Sequence, residues 1–139
     1  GLRSGFIAGD AKILGSYLKY RTYIGAAIPL PLQVASAVAW EDDAHVENAR
    51  AQYVENLRLA QEILGTSLVE ATFYIWLGVI DDLKFTRELY LQKNIKVLPG
   101  RFLGRGGMGE GYVRIALVEK SCKTRQILEN IKDFIKGNH

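Results

Sequence analysis

The sequence has 139 residues, and its 48% hydrophobic and 24% charged side chains are typical of one ordinary globular domain and exclude a disordered tail. Its single cysteine, Cys122, excludes an internal disulfide, and no apolar stretch approaches the length that spans a membrane. The net charge of +3 is unevenly distributed, since residues 93 to 139 carry 10 basic and 4 acidic side chains. Because this basic part contains no continuous run of basic residues, we expect no nucleic-acid partner.

The first forty residues predict one strand and two helices. The chain begins without a methionine and soon enters the apolar run Phe6-Ile7-Ala8, which predicts a buried strand and a chain cut from something longer. Asp10 is a good N-cap for a helix that reaches about Arg21. A second helix is predicted from Leu32 to Trp40, with Pro31 in its first turn. Because the sequence shows no charged, apolar-cored leader, we expect the protein in the reducing cytoplasm.

A long amphipathic helix is predicted from residue 43 to residue 64. Its apolar residues recur at steps of three and four, and they are Val46, Ala49, Tyr53, Leu57, Ala60 and Leu64. Gly65 is placed to end the helix. The acidic run Glu41-Asp42-Asp43 could form a metal or acid/base cluster, but capping of this helix explains the run with fewer assumptions.

The rest of the chain predicts strands and helices. A buried strand is expected from Ala71 to Val79, followed by a helix that Asp81 caps and that reaches about Lys93. Two further strands are expected at Ile95 to Leu98 and at Tyr112 to Val118. The chain closes with a helix whose apolar face consists of Ile127, Leu128, Ile131, Phe134 and Ile135. Because the loop between the last two strands is too short for a helical crossover, we predict an α+β fold with helices on a small, largely antiparallel sheet.

Three other features predict no chemistry. Gly104-x-Gly106-x-x-Gly109 has the letters of the dinucleotide-binding fingerprint, but it leads into a predicted strand where the fingerprint needs a helix, so we interpret it as a flexible hairpin loop. His45 and His139 are too few and too far from other ligands to indicate a metal site, and we expect no metal. Cys122 lacks a CxxC partner and is interpreted as an ordinary cysteine.

Two arginines stand in surroundings that suggest anion binding. Arg114 lies within an otherwise apolar strand, and a buried guanidinium needs an anionic partner, either an internal carboxylate or a ligand. Arg3 is flanked by small residues, which let an anion such as phosphate approach the backbone and the guanidinium together.

The residues around both arginines carry a resemblance to a known family. Gly1-Leu2-Arg3-Ser4-Gly5 resembles the end of the signature of class I/II, fold-type I, pyridoxal-phosphate-dependent aminotransferases. Tyr112-Val113-Arg114-Ile115-Ala116-Leu117 is similar to the C-terminal strand of the same family. The stretches between also fit, so the resemblance covers essentially the whole chain. Within the family, Phe85 to Tyr90 and Asn94 to Gly100 are most similar to the succinyldiaminopimelate aminotransferase branch.

The resemblance implies a C-terminal part of an aminotransferase, with pyridoxal 5'-phosphate as the cofactor. It implies that Arg3 binds the cofactor phosphate and that Arg114 binds the α-carboxylate of the substrate. The Schiff-base lysine of the family would precede Gly1, so this chain alone is expected to be inactive. Residues 1–40 would end the large cofactor-binding domain and residues 41–139 would form the small domain. The substrates would be an amino acid and a 2-oxo acid, with N-succinyl-diaminopimelate as the amino acid that the resembled branch suggests, and the whole enzyme would be a homodimer.

Two alternative functions remain open from the sequence. A β-lyase or another pyridoxal-phosphate enzyme of the same fold would carry the same carboxylate-binding arginine. A non-catalytic binding module would use the basic last third of the chain on nucleic acid or on a protein partner. The loop from Tyr23 to Pro31 is either a determinant of substrate side-chain specificity or a rigid connector.

Overall fold

A computed structural model describes residues 3 to 137. Its helices are α1 (Ala11–Ile24), α2 (Leu30–Glu41), α3 (Asp43–Leu64), α4 (Asp82–Lys93) and α5 (Ser121–Gly137), and its strands are β1 (Tyr74–Gly78), β2 (Leu98–Pro99) and β3 (Tyr112–Ala116). This confirms the predicted α+β class. The chain divides into two compact units between Val46 and Glu47, whereas its composition indicated a single domain.

The first unit contains α1 and α2. As predicted, Asp10 caps α1, because its Oδ1 accepts hydrogen bonds from the backbone of Lys12 at 3.0 Å and of Ile13 at 3.1 Å. Helix α2 begins at Leu30, two residues earlier than expected. The carbonyl of Pro29 accepts the first two backbone bonds of this helix, and Pro31 occupies a position in its first turn that needs no N–H partner.

The buried strand predicted at Phe6-Ile7-Ala8 is wrong. These residues form no strand, and the side chains of Phe6 and Ile7 are 70% and 61% exposed within the described chain. The segment runs beside α2, where the hydroxyl oxygens of Ser4 and Ser36 lie 2.7 Å apart and the rings of Phe6 and Trp40 meet edge to face at 5.0 Å. An apolar run predicts burial, but a strand also needs a backbone partner, and no described strand pairs with this one.

Helix α3 has the predicted caps and a shorter buried face than its pattern indicated. Asp42 accepts a hydrogen bond from the backbone of His45 at 3.2 Å, and Gly65 adopts the left-handed conformation, with φ at 70°, that ends many helices. Of the predicted apolar face only Leu57 and Ala60 are buried, whereas Val46 is 40% exposed. Burial is confined to the last part of the helix, at Asn56, Leu57, Leu59, Ala60 and Ile63.

The second unit is organised around a three-stranded sheet in the order β1-β3-β2, and both pairings are antiparallel. This confirms the predicted pairing of the last two strands. Strand β2 is shorter than the predicted Ile95 to Leu98 and shares only Leu98 with it, because only Leu98 and Pro99 pair with β3, opposite Arg114 and Val113. Pro99 is tolerated there because β2 is an edge strand that needs no second ladder partner.

One face of this sheet is covered by α3, α4 and α5 and forms the core. Alternate residues of β3 point into it, and the buried apolar residues are Leu57, Leu59, Ala60, Ile63, Ile75, Leu89, Val113, Ile115, Leu117, Leu128, Ile131 and Phe134. Because strand residues alternate between faces, Arg114 lies on the opposite face from Val113 and Ile115. The core therefore places Arg114 on the face of the sheet that the helices leave open.

Candidate functional site

Arg114 occupies the middle of the central strand. It is the register partner of Trp76 on β1 and of Leu98 on β2. Its side chain is half-buried, so the expectation of a guanidinium buried within an apolar strand is corrected: the strand is apolar on its core face, and Arg114 lies on the other. The cost of desolvating the guanidinium is correspondingly lower than full burial would impose.

The guanidinium of Arg114 has an aromatic neighbour and no anionic one. Its central carbon lies 5.0 Å from the centre of the Tyr74 ring, a cation–π contact. Among residues 3 to 137, no carboxylate lies within salt-bridge distance of Arg114. The sequence left two anionic partners open for Arg114, an internal carboxylate or a ligand. The described residues supply no such carboxylate, so the hydrogen-bond donors of this side chain are available to a ligand.

An open, apolar cavity of about 450 Å³ adjoins this face of the sheet. It is lined by Trp76, Leu103, Gly104, Met108, Gly109 and Tyr112. The rings of Trp76 and Tyr112 meet edge to face at 6.3 Å, and both side chains are about half exposed. No charged side chain lines the cavity.

The glycine-rich loop between β2 and β3 supplies part of the cavity wall. It is a loop, as predicted, and it leads into β3, so its glycines hold no helix N-terminus against a phosphate. Gly106 and Gly109 have φ angles of 60° and 86°, which side chains with a Cβ rarely adopt. Gly100 and Gly109 approach so closely that a Cβ on either would collide with the backbone of the other. The glycines therefore serve the path of the loop.

Asp82 and Arg101 fasten the beginning of this loop to α4, a connection that sequence reasoning missed. Asp82 is fully buried at the first residue of α4, and its Oδ1 accepts a hydrogen bond from Nε of Arg101 at 2.8 Å and forms an ion pair with Nη2 at 2.6 Å. Its Oδ2 accepts a second hydrogen bond from the backbone N–H of Arg101 at 3.0 Å. These bonds outweigh the effect of burial and lower the pKa of Asp82 to about 2.

Arg3 lies in the first unit and is exposed. Its φ of 58° places a residue with a Cβ in the left-handed region, a conformation that is costly and that clusters at binding sites. A Cβ added at Gly5, two residues further on, would meet nothing within 4 Å, so the backbone there faces open space. No described carboxylate forms an ion pair with Arg3.

Comparison with known proteins identifies the family. No family model matches the chain. An LL-diaminopimelate aminotransferase from Natranaerobius thermophilus is 32% identical over 96% of the chain. Solved aminotransferase structures from Neisseria meningitidis and from Helicobacter pylori (AspB) are 46% and 40% identical, with TM-scores of 0.80 and 0.86, over 96% and 99% of the chain. The chain belongs to the fold-type I aminotransferases.

The chain spans about a third of the length of the aminotransferases it matches: 36% of the N. thermophilus protein and of the N. meningitidis structure, and 37% of the H. pylori structure. The matched portion is their C-terminal part. The resemblance seen in the sequence to the aminotransferase family is thereby confirmed, and the α+β unit that carries Arg114 corresponds to the C-terminal region of these enzymes.

The other sequence candidates of this chain cap a helix, are exposed or lie outside the described residues. Asp42 of the acidic run caps α3, because its Oδ1 accepts a hydrogen bond from the backbone N–H of His45, and Nδ1 of His45 lies 3.2 Å from its Oδ2. Cys122 is exposed in the first turn of α5. His139, like Gly1, falls outside residues 3 to 137. Within that range no group of three metal-ligating side chains occurs, and no helix is long and apolar enough to cross a membrane.

Proposed function

We propose that this chain is the C-terminal part of a pyridoxal-phosphate-dependent enzyme that moves an amino group between an amino acid and a 2-oxo acid. The observation that carries the proposal is the half-buried guanidinium of Arg114, which sits at the centre of the sheet with no carboxylate partner among residues 3 to 137. Membership of the aminotransferase family supports the same reaction.

Arg114 binds the α-carboxylate of the substrate in this proposal. Its guanidinium presents paired donors in a plane, which match the two oxygens of a carboxylate. Its Cα is anchored on both sides, by β1 and by β2, so the donors are held in a rigid frame. The Tyr74 ring stabilises the charge without occupying the hydrogen-bond donors.

Arg3 holds the phosphate of the cofactor. Its exposed guanidinium, the open space beside Gly5 and the nearby Ser4 hydroxyl fit a phosphate group. When bound, pyridoxal 5'-phosphate supplies the electron sink for the exchange of the amino group. The lysine that bonds to the cofactor precedes Gly1, so the 139 residues alone are inactive.

The whole enzyme is a cytoplasmic homodimer, with residues 1–40 ending its large domain and residues 41–139 forming its small domain. Its amino-acid substrate is a diaminopimelate derivative such as N-succinyl-diaminopimelate. The N. thermophilus relative, named an LL-diaminopimelate aminotransferase, supports this class of substrate.

The first experiment is the intact mass of the polypeptide from its native source after borohydride reduction, which makes the bond between lysine and cofactor permanent. We expect a mass well above 15.5 kDa, with a pyridoxyl phosphate increment on a lysine that precedes Gly1. A 15.5 kDa chain without the increment would overturn the proposal and favour a free-standing binding module. Analysis of the products would then separate transamination from the β-lyase alternative.

A further inference from the structure

We infer that the apolar cavity beside Arg114 binds the carbon chain of the substrate, and that Trp76 selects substrates by the length of that chain. The inference rests on the proposed role of Arg114. It adds a specificity-determining residue to the carboxylate-binding one.

The register of the sheet places the two groups side by side. Trp76 is the Cα partner of Arg114 across the β1–β3 ladder, so their side chains emerge on the same face. Tyr112 precedes Arg114 by two residues on β3 and shares that face too. Neighbouring strands lie about 5 Å apart, which is the reach of an extended chain of three or four methylenes. A molecule with its carboxylate on Arg114 therefore reaches Trp76 with its side chain.

The lining of the cavity fits hydrocarbon. The side chains that wall it belong to Trp76, Leu103, Met108 and Tyr112, and the remaining wall is glycine backbone. Each methylene that enters such a surface leaves water and strengthens binding about fourfold. Because the cavity is open, a polar group at the far end of a longer chain stays in water. The site thus accepts a long substrate with a charged terminus while it gains affinity from the methylenes between.

Arg101 and Asp82 keep the wall in place. Leu103 and Met108 lie on the loop that these two residues attach to α4. Glu110 at the far end of the loop also lies 3.3 Å from Nη2 of Arg101. The two ends of the loop are therefore held by one guanidinium, and the apolar wall keeps a defined position relative to Trp76.

The test is binding of straight-chain carboxylates to the cofactor-loaded, full-length enzyme. Acetate, butyrate and hexanoate are titrated by calorimetry, which reports affinity without turnover. For the wild type we expect affinity to rise about fourfold with each methylene. Trp76→Ala is expected to flatten this dependence and to leave acetate affinity unchanged. Tyr90→Ala, whose side chain is exposed to the same 44% as Trp76 but lies on α4 outside the cavity, is the matched control and should retain the wild-type dependence.

The outcomes separate the two hypotheses. Arg114→Gln should weaken binding of all three acids by roughly 10- to 150-fold, and unchanged binding in this variant would overturn the proposed role of Arg114. If Arg114→Gln weakens binding to this extent while wild-type affinity is independent of chain length, or if Trp76→Ala weakens all three acids equally, the cavity inference is wrong and the role of Arg114 stands. Met108→Ala, at a position 67% exposed on the loop, gives the same test should Trp76→Ala fail to fold.

Discussion

Asp82 and Arg101 are joined by two hydrogen bonds and an ion pair, which use both oxygens of the carboxylate and both the side chain and the backbone of the arginine. The carboxylate is fully buried at the start of α4, whereas the arginine begins the glycine-rich loop. The pair therefore holds together two segments that border the open face of the sheet.

This pair predicts an acid-sensitive step in stability. Because Arg101 lowers the pKa of Asp82 from 3.8 to about 2, the native state holds its proton more weakly than the unfolded chain. The stabilisation is complete above about pH 4 and is lost as the pH falls towards 2. Asp82→Asn should remove this part of the pH dependence and lower the denaturation midpoint at neutral pH. Urea midpoints measured from pH 7 to pH 2 test this. The control is Asp133→Asn, at an exposed position on α5, and identical pH profiles for the two variants would contradict the prediction.

Asn56 is predicted to stabilise the connection between α3 and the end of β3. The side chain is fully buried, and its Nδ2 donates to the carbonyl oxygens of Leu117 at 2.9 Å and Glu119 at 2.8 Å. Asn56→Ala leaves these carbonyls without that donor and should cost about 1–3 kcal/mol of the free energy of unfolding. Asn48→Ala, at an exposed position of the same helix, should change stability by less than about 0.5 kcal/mol. Equal costs for the two in urea denaturation would refute a role for the buried amide.

Leu128 tests the core of the second unit. The side chain is fully buried on α5. Leu128→Ala should lower the free energy of unfolding by about 2–5 kcal/mol, because methyl groups leave the core and a cavity remains. Leu91→Ala, 69% exposed on α4, should cost less than about 1 kcal/mol. Urea denaturation of both variants checks this prediction. Similar unfolding midpoints for Leu128→Ala and Leu91→Ala would show that the core does not depend on α5.

Arg114→Gln tests the carboxylate-binding role by kinetics of the full-length enzyme. Loss of hydrogen bonds between two charged groups typically costs about 1.5–3 kcal/mol, so kcat/KM for the amino acid should fall by roughly 10- to 150-fold, with KM raised. Arg87→Gln on α4 is the control, since Arg87 is exposed and forms no ion pair with any residue from 3 to 137. A wild-type KM in the Arg114 variant would exclude the role.

Much of the local structure was predictable because local chemistry determines it. Asp10 and Asp81 cap the helices predicted for them, since a carboxylate reaches the N–H groups two and three residues ahead. The helix after Asp81 ends at Lys93 as expected. The antiparallel pairing of β2 and β3 followed from the length of the loop between them.

The sequence by itself determined where the helices lie and which class of fold they form, and it singled out two arginines as candidates for anion binding. Each of these conclusions depends on a pattern within a few residues: hydrophobic periodicity, helix capping, or a charged residue among apolar or small neighbours. Only the tertiary structure decided the rest. Asp82 and Arg101 are separated by 19 residues, and no local pattern pairs them. The open face of Arg114, its Tyr74 neighbour and the Trp76 cavity depend on strand register, which is settled by how the whole unit buries its apolar face.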